Sequence, residues 1–197
     1  GLSALGPDLR PRALPLEPWR SRGRQEEVRR YFEVGARRWI NVDVGSLYRL
    51  EAIGVAHEVP IPNNEIDLEL LDDGTIAAVG DHALTLLDGD SALTFPYPPE
   101  RGSLVGGVPA ADGALHFLGE GVHVAFAGGV FRELGPAPPA CVQPVMAGDA
   151  GVLWAACGGR LWSWERDGWL ARADIGDDQP VKAMLADGDE VWVTTLT

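Results

Sequence analysis

Two landmarks recur along this chain with one period, and that constrains its fold more than any other feature. Trp39, Ala77, His116, Trp154 and Trp192 are separated by 38, 39, 38 and 38 residues. Each follows a glycine (Gly35, Gly74, Gly113, Gly151 or Gly188) by three or four positions. A second register, Tyr48, Thr85, His123 and Trp162, keeps gaps of 37, 38 and 39. Between the landmarks the grammar repeats. In the second period Ile66–Leu71 alternates apolar and acidic residues, the period-2 mark of a half-buried strand. Asp72-Asp73-Gly74 then turns the chain, because an Asp-Gly pair supplies the positive φ of a tight hairpin. Thr75–Val79, a turn at Gly80-Asp81-His82, Ala83–Leu87, a turn at Asp88-Gly89-Asp90 and Ser91–Tyr97 complete it. Prolines close each period, as suits an outermost strand whose edge has donors to spare.

A repeat of this length made of four short strands predicts an all-β chain, a β-propeller. The period of about 38 residues gives about four complete four-stranded blades plus part of a fifth. The expected divisions are an irregular basic head at 1–23, then blades at 24–62, 63–101, 102–140 and 141–178, with a partial blade at 179–197. Prolines at 7, 11, 15 and 18 leave the head no room for a long helix or strand. Residues 24–34 fit either a short amphipathic helix or the innermost strand of the first blade, and the period favours the strand. Four and a half blades leave an edge that closure would remove. The chain therefore reads as a piece of a larger propeller, as a small ring closed by its own N-terminal strands, or as a ring closed by another chain.

Charge is divided unevenly. Residues 1–38 carry nine Arg against five Asp and Glu, whereas 39–197 carry seven Lys and Arg against 24 Asp and Glu. An acidic body repels phosphates and argues against nucleic acid as a partner. No apolar run reaches the length of a membrane span, so membrane insertion is not expected. Arg10, Arg12, Arg20, Arg22 and Arg24 form a candidate docking arm. Cys141 and Cys157 fit no metal or redox spacing and read as two buried or partly buried thiols, with a disulfide left open.

The stretch Gly151-Val-Leu-Trp154-Ala-Ala-Cys-Gly-Gly159-Arg-Leu161-Trp162-Ser-Trp164-Glu-Arg-Asp-Gly168 resembles the repeat of two-component-regulator propellers, the ligand-binding sensor propellers of bacteria. Asp177 to Thr195, with Val181, Asp187 and Trp192, is similar to that family's bridge into a following blade. The second and third periods depart from it, since Ala77 and His116 stand where the family has Trp. The resemblance implies a sensor scaffold whose motif is structural. A lesser similarity, Ala147-Gly-Asp149-Ala-Gly151-Val-Leu-Trp154, is to the aspartate box of sialidase-type propellers, which is a folding turn.

The first column is expected to pack between blades, where a Trp buries roughly 150–250 Å². If it faces a channel instead, Trp39, His116, Trp154, Trp192, His123 and Trp162 are the candidate ligand or partner residues. His116 and His123 fall on adjacent strands of one period and are able to face each other. No third ligand is evident for zinc, and the paired acids sit at turns, where Asp favours the backbone. No nucleophile elbow or phosphate-cradling loop is present, so no catalytic residue, metal or cofactor is assigned. The reading is a non-catalytic recognition or sensor module in a larger bacterial regulatory or effector assembly. Its partner would be a protein, or the rest of a larger chain completing the ring, with a small ligand also admitted. The alternative is a propeller enzyme, a lyase or glycosidase with an acid and a His at the channel mouth. Replacing the five arm arginines by Glu should weaken assembly in a salt-sensitive way, measured by co-purification across an ionic-strength series; assembly indifferent to the change would remove the arm.

Overall fold

The computed structural model describes residues 3–5, 11–13, 28–34, 37–42, 46–50, 56–59, 65–71, 73–88, 91–142, 144–149, 151–166, 168–176, 180–187 and 190–195. The chain divides into two compact units, Gly1–Asn64 and Glu65–Thr197. In the first, Ser3–Leu5 (β1) and Pro11–Ala13 (β2) pair antiparallel, which corrects the irregular head to one that includes a short hairpin. Three residues per strand is what the surrounding prolines permit. Val28–Val34 (β3), Arg37–Val42 (β4), Ser46–Leu50 (β5) and Ala56–Val59 (β6) form a four-stranded antiparallel sheet in chain order. The described part of the segment with two readings, Val28–Val34, is thus a strand.

The second unit holds Glu65–Leu70 (β7), Ile76–Gly80 (β8), Ala83–Asp88 (β9) and Ser91–Pro96 (β10) as one sheet. Val105–Pro109 (β11), Leu115–Leu118 (β12), Val122–Ala127 (β13) and Val130–Pro136 (β14) form the next. Val145–Asp149 (β15), Val152–Cys157 (β16), Arg160–Glu165 (β17) and Gly168–Asp174 (β18) form the third. Val181–Asp187 (β19) and Glu190–Thr195 (β20) make a two-stranded sheet. Each sheet is an up-and-down meander, and the first strands of successive sheets lie side by side: β7 on β11, β11 on β15, β15 on β19. These are the blades of a β-propeller. The first strand of the third blade in this unit, β15, begins at Val145, four residues into the blade that the sequence places at 141–178. No helix among the described residues is long and apolar enough to cross a membrane.

The Asp-Gly turns form as the sequence requires. Gly74 and Gly113 take φ of 86° and 78°. Asp73 Oδ1 accepts from the Thr75 N–H at 2.9 Å, and Asp112 Oδ1 accepts from the Ala114 N–H at 3.0 Å. Those hydrogen bonds explain why both carboxyls titrate below the usual aspartate range, for Asp112 against an opposing desolvation.

The core lies between blades. Leu115, Phe117, Val124 and Phe126 of one sheet meet Ala77 and Val79 of the sheet before it. Leu118, on the opposite face, meets Ala155, Cys157 and Trp162 of the sheet after it. In the first column, Ala77 therefore faces the following blade, and His116 shares the face of Leu118 that does the same. The second register is corrected by the pairing: Ala78 lies opposite Thr85, Phe117 opposite Val124, and Ala155 opposite Trp162. Val124, not His123, is the structural member. Because side chains alternate, this one-residue slip turns His123 to the other face.

Close approach of neighbouring blades depends on two glycines without a positive φ. A Cβ on Gly107 would stand 3.0 Å from Val79 Cγ2, and one on Gly148 only 2.7 Å from Val108 Cγ1 and 3.0 Å from the Pro109 carbonyl. Gly148→Ala should therefore destabilise the protein by about 1–3 kcal/mol through overpacking. Gly168→Ala, where a Cβ meets nothing within 4 Å, should stay within about 0.5 kcal/mol of the parent. Urea unfolding of the two variants checks this, and equal effects would mean that the blades are not held at contact distance.

Candidate functional site

A polar constellation inside the second unit starts at a turn and runs inward. Asp112 belongs to the Asp-Gly turn joining β11 to β12, and its side chain is 61% exposed. Four residues on, His116 lies on β12 opposite Ala125, and His123 lies on β13 opposite Leu118. The two histidines share the face turned toward β17 and β18. His116 Nε2 is 3.2 Å from Asp112 Oδ2, and His116 Nδ1 is 2.9 Å from His123 Nε2.

The chemistry of the partners sets the tautomers. The ionised carboxylate only accepts, so His116 donates through Nε2–H and its Nδ1 is left as an acceptor. His123 then donates through Nε2–H, and its own Nδ1 keeps a bare lone pair. That atom is buried and has no hydrogen-bond partner among the described residues. Around it stand rings: Trp164 at 4.3 Å between centroids, nearly perpendicular, and Trp169 at 5.1 Å. Exposure falls from the carboxylate to 3% at His116 and 0% at His123.

The inner end of this line is held neutral. Burial above all, reinforced by any positive charge on His116, pushes the His123 pKa down to about 3, with Asp112 opposing. Both nitrogens of His116 are engaged. Among the described residues no three His, Cys, Asp or Glu side chains are placed to hold a metal ion. What the line does is join β12 to β13 and present an aromatic-compatible surface to the next blade.

The other candidates disperse. Trp39 and Trp162 are buried, and Trp162 donates its indole N–H to the Cys157 carbonyl. Trp154 is half-buried with its Nε1 covered. Only Trp192 is open, 62% exposed, and it pairs across the strands with Leu185, 63% exposed. Arg10, Arg20, Arg22 and Arg24 lie outside the described residues, as does the Arg12 side chain on β2. Cys141 and Cys157 are not free thiols: a disulfide joins them, tying the segment before β15 to the end of β16. Their separation of sixteen residues carried no signal of this, because only the fold brings the two Cα atoms to 4.7 Å.

Sequence reasoning also missed an open cleft of about 330 Å³ beside that disulfide. Its walls are Val105 at the start of β11, the Gly119-Glu120-Gly121 turn between β12 and β13, and Cys141, Val142 and Pro144.

No protein-family profile matches the chain, and no curated protein sequence does so. Solved structures do resemble it. A virginiamycin B lyase from Staphylococcus aureus superposes with a TM-score of 0.76 at 15% identity, over 98% of this chain and 69% of the lyase. A catalytically inactive form of that lyase with quinupristin gives 0.71 at 17% identity, over 85% of this chain and 62% of the other. The extracellular domain of BT4673 from B. thetaiotaomicron, assigned to a one-component system, gives 0.65 at 14% identity, over 86% of this chain and 26% of that one. Likeness at these identities establishes the β-propeller fold. The chain spans under two thirds of the quinupristin-bound lyase.

The buried histidine fixes a pH dependence. Unfolded, His123 titrates near 6.5; folded, near 3. Between those values the unfolded chain binds more protons, so the contribution is complete above pH 6.5 and shrinks as pH falls toward 3. Stability should fall by about 1.4 kcal/mol per pH unit in that window from this group. Asp112 and Asp73, whose folded pKa values are lowered, add a loss only at lower pH, below their ordinary value of 3.8. Urea midpoints from pH 7 to 4 should slope more steeply for the parent than for His123→Gln. Parallel slopes would show that the ring is not held neutral.

Proposed function

We propose that this chain is a non-catalytic recognition module, of the sensor kind, within a larger bacterial regulatory or effector assembly. One observation carries the reading: His116 and His123 are sealed between blades, while what the unit offers to its surroundings is a rigid set of turns, a cleft and an exposed apolar pair. Loops on a rigid scaffold are where recognition is usually built. The Leu185–Trp192 face continues the face that each preceding blade buries against its neighbour, so a protein surface, or the rest of a larger chain, is its natural cover. The basic arm would add an electrostatic contact. The disulfide suits an oxidising compartment, in keeping with the extracellular domain that shares the fold.

A propeller enzyme is the second reading, and the Asp112–His116–His123 line is the observation in its favour. The solved lyase supplies a direct test. Incubated with quinupristin, the chain should leave its chromatographic peak unchanged. Conversion that disappears in His116→Asn, a variant still folded by circular dichroism, would replace the recognition reading with the catalytic one.

A further inference from the structure

The cleft beside the disulfide has a composition that selects among ligands. Three of its walls are apolar: Val105, Pro144 and Val142, the last 83% exposed although it is a large aliphatic residue. A ligand covering Val142 gains roughly 25 cal/mol for each Å² of apolar surface removed from water. The single charge on the lining is Glu120. It stands on the turn between β12 and β13, seated over Gly102, where a Cβ would lie 2.9 Å from Glu120 Cβ. Arg101, next to Gly102, is held in an ion pair with Glu133 at 2.9 Å. The turn's own backbone is committed too: the Gly119 N–H donates to the Val122 carbonyl, and the Gly121 carbonyl accepts from Ala137. Glu120 is therefore the one strong polar group on the lining, an acceptor beside apolar walls, in a body carrying a large excess of acid. The volume is at the low end of small-molecule sites.

We infer that this cleft binds a small organic cation, an ammonium carried on a compact apolar body, with Glu120 accepting its N–H groups and Val142 and Pro144 covering its hydrocarbon. The inference rests on the recognition reading and names the ligand class for one of its surfaces. A charge-assisted hydrogen bond supplies selection for the amine, and the apolar walls supply the bulk of the contact. An anion or a sugar finds no donor side chain on this lining.

Benzylamine is the probe, with benzyl alcohol as its uncharged counterpart. In amide proton–nitrogen spectra, millimolar benzylamine should shift Gly119, Gly121 and Val142, and the shifts should weaken as sodium chloride is raised. Benzyl alcohol should shift them far less. Glu120→Gln should weaken benzylamine binding roughly tenfold or more, and Val142→Ser should weaken both probes. Both positions are exposed, so thermal unfolding should be unchanged and binding loss cannot be mistaken for unfolding. Absence of shifts at these amides, or equal binding of the amine by Glu120→Gln, overturns the inference while leaving the recognition reading to its own test. Quinupristin conversion with intact benzylamine binding would do the reverse.

Discussion

A sheet buried on both faces must find a neighbour for each, and in this chain the neighbour is the next sheet. That condition governs the second unit. Ala77 and Val79 are covered by Phe117 and Val124, and Leu118 is covered by Ala155 and Trp162. The inner strands come close enough only because Gly107 and Gly148 carry no side chain where Val79 and Val108 press in. These glycines have ordinary φ, so their role is space and not turn geometry. Hydrophobic burial supplies the driving force, and two missing methyl groups set the spacing at which it acts.

Much of this was legible before any coordinates. Turn residues report backbone conformation locally, so Gly74, Gly113 and their aspartates located hairpins correctly, and the column from Trp39 to Trp192 gave the register of second strands. Errors arose where neighbours decide. In the blade placed at 141–178 the first strand begins only at Val145, after Cys141 has entered a disulfide, and Gly148 lies in that strand against Val108. The second register slipped by one at His123, because a polar landmark was matched to polar and aromatic ones when the pairing partner of Phe117 is Val124. One residue is enough to change which blade a side chain meets.

That slip is also what makes the histidine line. Had His123 stood at the position of Val124, it would point into the cluster of Phe117 and Phe126, away from His116. Standing one residue earlier, it shares a face with His116, and the turn aspartate completes the chain of donors and acceptors. Trp164 and Trp169 then close over it from the following blade. Spacing hinted that the two histidines face each other, but nothing in the sequence marked Asp112 as their anchor, since turn chemistry already accounts for an Asp at that site. A residue serving both roles is hidden by the simpler one.

The same reasoning explains why the repeat is silent on ligand identity. In a blade, both faces are given to neighbouring blades and the strand edges to the ladder, so periodic positions are claimed by packing. Specificity is left to the turns and connections, which are where the period carries least information. The β12–β13 turn and the 141–144 segment are short, rich in glycine and proline, and hold one carboxylate. Read along the chain they look like spacers. Only when the disulfide draws Cys141 back to the blade does the segment stand beside Glu120 and form a wall. Any chemistry of recognition in this fold is thus written in residues that have no partner in the repeat, and the departures from the period are the places to look for it.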